Sequence, residues 1–364
     1  MKISEIVAHL ESFAPPALQE SYDNAGLITG DRSSEITSAL ITIDVTEEVI
    51  DEAVRKKAGM IISHHPILFS PLKKITGNSY VERCIIKAIR ENIALYAMHT
   101  NLDALLKGVN SRICEKLELQ DIRILVPAED QLRKLVFFVP LDHARPVREK
   151  IFEAGAGHIG NYDQCSFNAK GEGTFRGSEE TNPFVGEKGI MHTEEELRVE
   201  TIFPKHLEKS IIHALLKAHP YEEVAYDIYP LTNEYKEAGS GMIGILKNPM
   251  DEKSFLKLLK DTFKTGSIRH TPLLGKKIKT VAVCGGSGSF LLRNAMSQDA
   301  DVFVSGDFKY HQFFDADGRI LAADIGHYES EQFTTEIIYD LCIKKFPTFA
   351  FHFSKVSTNP VNYF

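Results

Sequence analysis

Two adjacent histidines, His64 and His65, follow a short apolar run after a single serine and stand directly before a proline. The run Met60-Ile61-Ile62 is rich in β-branched residues, so residues 59–63 are predicted to form a buried strand. The histidines then follow the carboxyl end of that strand, where open α/β sheets place their ligands. They indicate a metal or ligand site. The alternative for an isolated pair is one core histidine and one loop histidine.

A second pair of this kind, His99 and Asp103, follows the next predicted strand, residues 93–98. The two residues are four apart, so both side chains point to one side if the chain turns helical there. Taken alone, such a pair is more typical of a helix cap or a surface pair than of a metal site.

The C-terminal part of the chain repeats the arrangement. The predicted strand 320–324 is followed by His327 and, four residues later, by Glu331. Two such pairs at the same place in two matching βαβαβ patterns are much less expected by chance than one. The candidate ligands therefore number four imidazoles and two carboxylates, all after strands: His64, His65, His99, Asp103, His327 and Glu331.

Two α/β halves must position these residues. Residues 1–127 read as strands alternating with helices, the pattern of a parallel sheet with covering helices. Residues 232–364 repeat that pattern, and their last long helix is predicted over 331–342. The predicted fold class is α/β, with two similar βαβαβ-type halves packed face to face around a dinuclear metal site.

Residues 128–231 follow a different pattern. Two strand-helix-strand stretches occur in tandem, with matching segments at 137–140 and 201–204, and a glycine-rich hairpin is predicted over 159–175. This predicts an inserted ferredoxin-like α+β domain. Its histidines share no ligand spacing and are interpreted as surface or packing residues: His158, His192, His206, His213 and His219.

The six candidate ligands suit two divalent ions per chain. Imidazole and carboxylate favour zinc, with iron, manganese or nickel as alternatives, over calcium. Carboxylates can also bridge two metals about 4 Å apart.

A glycine run, Gly285-Gly286-Ser287-Gly288, follows the predicted strand 280–284. Such a run could cradle a phosphate at a helix N-terminus. It has neither the lysine ending of a P-loop nor a complete dinucleotide fingerprint, so a tight strand-to-helix turn is the favoured interpretation.

Composition narrows the class of protein. The 364 residues are 43% hydrophobic and 25% charged, as in an ordinary protein that buries a core. The formal net charge of -8 argues against nucleic acid as the main partner. Five scattered cysteines without a CxxC pair are typical of a reduced, cytoplasmic protein. No stretch of about 18 apolar residues is present to span a membrane.

Four ordered motifs carry a resemblance to a known family. Ser-His-His-Pro at 63–66, His-Thr-Asn-Leu-Asp at 99–103, Ser-Gly-Asp-x-Lys-Tyr-His at 305–311 and Gly-His-x-x-Ser-Glu at 326–331 resemble those of the Nif-three-like proteins, also called GTP cyclohydrolase type-two homologues. The resemblance covers roughly 1–125 and 232–364. The middle segment is similar to the PII/CutA-like insert of some bacterial members. Tyr22 stands where the family usually has Trp.

The resemblance implies that His64, His65, Asp103, His327 and Glu331 are the dinuclear ligands, with His99 as a further ligand. It also implies a cytoplasmic homohexamer, a toroid built from trimers. The implied activity is metal-dependent hydrolysis of GTP or a similar purine nucleotide by metal-activated water. Asp307 and His311 are the candidate catalytic residues, as proton shuttles or as groups that orient a ligand.

Two other functions remain open. One is a non-catalytic metal-binding scaffold or metallochaperone, in which the inserted domain senses a small molecule such as a nucleotide. The other is a DNA- or transcription-associated partner, as the family's first name suggests; the net charge weighs against it.

Overall fold

The computed structural model describes all 364 residues, and the chain divides into two compact units. The flanking unit combines residues 1–127 with residues 236–364. The middle unit comprises residues 128–235. The two segments with the same predicted strand-helix pattern therefore belong to one compact unit.

The strands are numbered in chain order. They are β1 Gly26–Thr29, β2 Ser38–Thr42, β3 Met60–Ser63, β4 Ala94–Ala97, β5 Leu119–Ala128, β6 Leu132–Pro140, β7 Phe167–Phe175, β8 His192–Pro204, β9 Tyr226–Leu231, β10 Tyr235–Asp251, β11 Arg269–His270, β12 Lys277–Val283, β13 Val302–Ser305, β14 Leu321–Asp324 and β15 Ala350–Phe353.

The α-helices are α1 Ile3–Phe13, α2 Glu47–Arg55, α3 Tyr80–Arg90, α4 Thr100–Asp103, α5 Val109–Lys116, α6 Ala144–Glu153, α7 Glu208–Ala218, α8 Glu252–Phe263, α9 Leu292–Ser297, α10 His327–Glu331 and α11 Thr334–Lys345. Short 3-10 helices lie at Pro16–Leu18, Leu141–His143, Lys205–Leu207, Ser289–Leu291 and Tyr310–Ala316. None of the helices combines the length and the apolar character that crossing a bilayer requires.

The first sheet of the flanking unit has the strand order β1-β4-β3-β2-β15. Strands β2, β3, β4 and β15 run parallel, and β1 closes one edge antiparallel to β4. All residues of β2, β3 and β4 are buried, as expected for strands with covered faces. Thr46 caps the N-terminus of helix α2, because its hydroxyl accepts a hydrogen bond from the Val49 amide.

The second sheet of this unit has the order β11-β14-β13-β12-β10-β5. Its strands β12, β13 and β14 run parallel, and the short β11 lies antiparallel to β14 at the edge. The parallel trio and its antiparallel edge strand match the first sheet. One apolar core contains residues from both sheets, such as Ile41, Ile62, Val281 and Val304, and so joins the two halves.

The middle unit contains a four-stranded antiparallel sheet in the order β7-β8-β6-β9. Helices α6 and α7 cover it with Val147, Ile151, Ile211 and Leu215. The chain order of this unit is β-α-β-β-α-β.

Two local predictions are wrong. Residues 159–175 do not form a hairpin, because β7 pairs with β8 instead. The helix predicted over 331–342 is interrupted: α10 ends at Glu331 and α11 begins at Thr334. The spacing of apolar residues does not predict which strand pairs with which, and it does not reveal a break of two residues between helices.

Candidate metal centre

The carboxyl ends of the two parallel trios meet in one cluster. His64 and His65 follow β3 and His99 follows β4, whereas His327 and Glu331 lie in α10, just after β14. Three overlapping groups have ligand atoms within 4.8 Å of one another. These groups are His64 with His65 and His99, His65 with His327 and Glu331, and His64 with Asp103 and Glu331. The structure therefore brings all six predicted ligands together.

Glu331 lies at the centre of the cluster and is almost fully buried. Its Oε2 is 3.0 Å from His65 Nε2 and 3.0 Å from His327 Nε2, and the two nitrogens are 3.3 Å apart. Two ligands of a tetrahedral zinc ion, each bonded at about 2.0–2.1 Å, lie about 3.3 Å apart. These three atoms are thus spaced as ligands of one ion would be.

The other oxygen of Glu331 faces a second group. Its Oε1 is 3.6 Å from His64 Nε2, which is itself 3.7 Å from Asp103 Oδ1. Both His64 Nε2 and Asp103 Oδ1 are buried and make no hydrogen bond. Buried polar atoms without partners are costly, so a cation between them fits this donor set.

Each imidazole is held by its Nδ1, which donates to a second group. His65 donates to Asp44, His99 to Asp23 and His327 to Asp307, each over 2.7 Å. His64 donates to the Met98 carbonyl oxygen over 2.8 Å. A donating Nδ1 leaves the Nε2 lone pair for a metal, which is the usual arrangement behind a metal-bound histidine.

The histidines of the cluster differ in the direction of their pKa shifts. Burial lowers the pKa of His64. Burial also disfavours the charge of His65 and His327, but hydrogen bonds to Asp44, Asp307 and Glu331 outweigh it and raise the pKa of His65 to about 9 and that of His327 to about 11. A metal must therefore displace protons from these two rings to bind them.

The pKa values of the two carboxyl groups in the cluster, Asp103 and Glu331, are shifted in opposite directions. Burial and the nearby Glu331 raise the pKa of Asp103 well above its usual range. Burial also opposes the charge of Glu331, but the rings of His64, His327 and His65 lower its pKa well below the usual range. Carboxyl groups that lie in a cleft and have pKa values shifted in opposite directions are typical of functional sites.

Comparisons with known proteins place the chain in a family. A family model described as Duf34/NIF3 (NGG1p interacting factor 3) matches residues 1–360. The chain belongs to the DUF34/NIF3 family. It is 40% identical to a Bacillus subtilis protein named GTP cyclohydrolase 1 type 2 homolog, over 99% of this chain and 98% of the relative. A relative of the same name from Halalkalibacterium halodurans is 43% identical over 90% and 89% of the two chains.

A solved structure has the same fold. The crystal structure of a Bacillus cereus protein related to NIF3 superposes with a TM-score of 0.87 at 37% identity, covering 100% of this chain and 99% of that one. The resemblance read from the four motifs is thereby confirmed as membership of the DUF34/NIF3 family.

The glycine run of this DUF34/NIF3 protein makes room for Glu331. A Cβ on Gly286, whose φ is +59°, would lie 2.3 Å from Glu331 Oε1. The amides of the run are also occupied: Gly285 donates to Asn110, Gly286 to Ser330 and Gly288 to Ser305. These amides are not free to cradle a phosphate, which agrees with the tight-turn interpretation.

The two predicted catalytic residues lie in different places. Asp307 lines the cavity at the cluster, and its Oδ2 accepts hydrogen bonds from His327 Nδ1 and from Ser287 Oγ. His311 is exposed in a 3-10 helix, where its ring contacts Tyr310 and Phe314, and it does not line the cavity.

Sequence reasoning missed three residues that hold the ligands in this DUF34/NIF3 protein. Asp44 and Asp23 support His65 and His99, and Thr358 donates to Asp44 Oδ2 over 2.6 Å. Asp44 carried a usable signal, because it follows β2 just as His64 follows the neighbouring β3. Thr358 carried none, since it lies 314 residues from Asp44.

A cavity of about 1010 Å³ opens onto the cluster. Both halves of the flanking unit and the C-terminal tail, residues 354–364, contribute to its walls. Its lining includes His65, His99, Asp103, His327 and Glu331, so a bound molecule can reach the ligand atoms. A cavity of this size accommodates a small organic molecule.

Proposed function

We propose that this protein binds two divalent metal ions and uses them in hydrolysis of a purine nucleotide or a similar substrate. One observation carries the proposal: the two oxygens of Glu331 face two different groups of ligand atoms. This is the arrangement of a carboxylate that bridges two metals.

The residues divide between the two positions. His65, His327 and Glu331 Oε2 would hold one ion, whereas His64, Asp103 and Glu331 Oε1 would hold the other, with His99 beside it. The donors are nitrogen and oxygen, and all five cysteines are free. This set favours zinc, with iron, manganese or nickel as alternatives.

Two ions at such a site supply an activated water and polarise the bond that it attacks. The chain's own residues orient the ligands and move protons. Asp44 and Asp307 fix the His65 and His327 rings through their Nδ1 atoms. Asp307 is the candidate proton shuttle: the hydrogen bond from His327 Nδ1 lowers the pKa of Asp307, so its carboxylate is ionised at neutral pH and would take a proton only transiently.

Three further features belong to the proposal. The chain order and strand order of the middle unit support a ferredoxin-like domain, to which we assign a sensing or assembly role because it supplies no residue of the three ligand groups. The resemblance carried by the four motifs implies a homohexamer built from trimers, and we include that assembly in the proposal. The free cysteines support a reduced, cytoplasmic location.

Metal content tests the centre directly. Protein purified without chelator is compared with Glu331→Gln by mass spectrometry of the metals. We expect about two equivalents per chain in the wild type and a clear loss in the variant. Glu252→Gln is the matched control, because Glu252 is also buried and accepts two backbone hydrogen bonds, yet lies outside the cluster. Equal metal content in wild type and Glu331→Gln would contradict the proposal.

Turnover tests the hydrolase. Metal-loaded protein is incubated with GTP and, separately, with guanosine, and opening of the purine ring is followed against a His65→Ala control. Turnover that depends on His65 supports the hydrolase. A fully loaded protein that opens the ring of neither GTP nor guanosine would instead favour the alternative, a metal-binding scaffold or metallochaperone regulated through the middle unit.

A further inference from the structure

The cavity above the ligand cluster has an acidic wall. Seven carboxylate side chains line it: Glu20, Asp44, Asp103, Asp307, Asp324, Glu329 and Glu331. Arg269 is the sole Lys or Arg in the lining, and its guanidinium is already held by Asp324 and by the Phe308 carbonyl oxygen. No free Lys or Arg side chain therefore faces the cavity.

Two bound metal ions would not make the net charge of the cavity lining positive. Two divalent ions carry four positive charges, which Asp103, Glu331, Asp44 and Asp307 offset. Glu20 and Glu329 remain in the lining. The amides of Gly285, Gly286 and Gly288 are occupied by side chains of the protein. Apart from the metals themselves, a polyphosphate would therefore meet like charge, with no free arginine fork in the lining and no free amide at these three glycines.

Exposed aromatic side chains surround the opening. Tyr22, Phe69, Tyr80 and Phe290, here called the aromatic rim, line the cavity and are each more than half exposed. Phe69 also contacts the ring of His99 edge-on, at 5.7 Å between ring centroids. Phe290 comes from the second half of the flanking unit, just after the glycine run. Aromatic faces of this kind stack flat rings of many chemical types.

We infer that the cavity takes an uncharged, flat ring compound of purine-nucleoside size, without phosphate groups. The acidic lining excludes a polyanion, and the aromatic rim supplies the surface on which the ring stacks. This inference rests on the proposed metal centre and replaces the purine nucleotide as the proposed substrate by the nucleoside or the free base.

Calorimetric titration of the metal-loaded, full-length protein with guanosine and with GTP tests the inference, with metal content measured on each sample. Guanosine is expected to bind at least tenfold more tightly than GTP. Phe290→Ala is expected to weaken guanosine binding about tenfold, through loss of one stacking surface. Phe314→Ala is the matched control, because both phenylalanines are 67% exposed but Phe314 does not line the cavity.

Tighter binding of GTP, or no binding of guanosine by fully loaded protein, overturns the inference and leaves the metal centre standing. A protein that holds no metal overturns both. If Phe290→Ala changes the oligomeric mass in light scattering but not guanosine binding, the aromatic rim is a contact between copies of the chain, and the inference fails.

Discussion

Each imidazole of the candidate metal centre is supported by a group outside the ligand set. Asp44, Asp307 and Asp23 accept from His65, His327 and His99, all at 2.7 Å. Asp307 adopts a left-handed backbone with φ of 56°, which Asp tolerates better than most residues. These hydrogen bonds fix the tautomers of the three histidines, so the carboxylates that accept them belong to the site.

Replacing Asp44 with Asn is expected to weaken metal binding about 10- to 100-fold, because the charge that supports His65 is removed. Competition with a chromogenic chelator measures the affinity. Asp51→Asn serves as the control, since Asp51 is half-exposed and pairs with Lys87 away from the cluster. Unchanged affinity in Asp44→Asn would mean that the hydrogen bond to His65 contributes nothing to the site.

Replacing Gly286 with Ala is expected to reduce metal affinity about tenfold or more, because the new Cβ would lie 2.3 Å from Glu331 Oε1 in a left-handed backbone. The same chelator competition applies. Gly171→Ala is the control, since nothing lies within 4 Å of a Cβ at that position and its φ is ordinary. Equal affinities in both variants would show that Glu331 can move aside freely.

At the scale of elements, the C-terminal tail is tied to the metal centre. Thr358 donates to Asp44 Oδ2, while Asn359 donates to Glu329 over 3.1 Å. Asp44 is thus shared between the tail and His65. The tail therefore both forms a wall of the cavity and helps to position a ligand.

Thr358→Val is expected to weaken metal binding severalfold, because Asp44 Oδ2 loses its donor. Replacing the metal with cobalt(II) gives a visible spectrum that reports the geometry at His65, and a shifted spectrum is expected in the variant. Thr358→Ser keeps the hydroxyl and should restore both readouts. A purely structural role of the tail would lower the melting temperature and leave the spectrum unchanged.

The start of the tail is anchored by a buried carboxylate. Glu52 of α2 accepts from the Ser354 hydroxyl and the Lys355 amide and pairs with Lys56. Burial opposes its charge, but these contacts lower the pKa of Glu52 from 4.5 to about 2. Because the folded-state pKa is depressed, the stabilisation is complete above pH 4.5 and is lost as the pH falls towards 2.

Glu52→Gln is accordingly expected to destabilise the protein by about 2–3 kcal/mol at pH 7. Thermal unfolding from pH 7 to pH 3 measures the effect, and the difference from wild type should shrink as the pH falls below 4.5. Glu48→Gln, an exposed change on the same helix, should have no comparable effect. A difference that is constant with pH would refute the role of the charge.

At the scale of the whole molecule, one compact unit is built from two segments that are separated in sequence by the middle unit. Four strands of each sheet match, namely the parallel trio and the antiparallel edge strand beside it. The cluster lies where the two parallel trios end, so neither segment alone contains the complete ligand set.

Assembly is the prediction at this scale. If the proposed hexamer forms, light scattering of the full-length chain is expected to give a mass near six chains of 40.8 kDa. The measurement is repeated after chelation, to learn whether assembly depends on the metals. A mass of one or two chains would contradict the hexamer.

The sequence by itself determined the residue types of the site and their spacing along each half. Buried strands, recognised by their apolar runs, place the residues that follow them at the carboxyl end of the sheet, so His64, His65 and His327 could be identified as candidate ligands. The repeated pairs His99 with Asp103 and His327 with Glu331 could be found because both elements are local. Local periodicity and spacing follow directly from the chain.

Only the tertiary structure decided which oxygen of Glu331 faces which histidine, because His65 and Glu331 are 266 residues apart. It also decided that Asp44 and Thr358 support the site and that the glycine run gives clearance to a carboxylate. These contacts depend on how the two halves pack on their shared core. Packing is set by the fit of many side chains at once, and no local pattern records it.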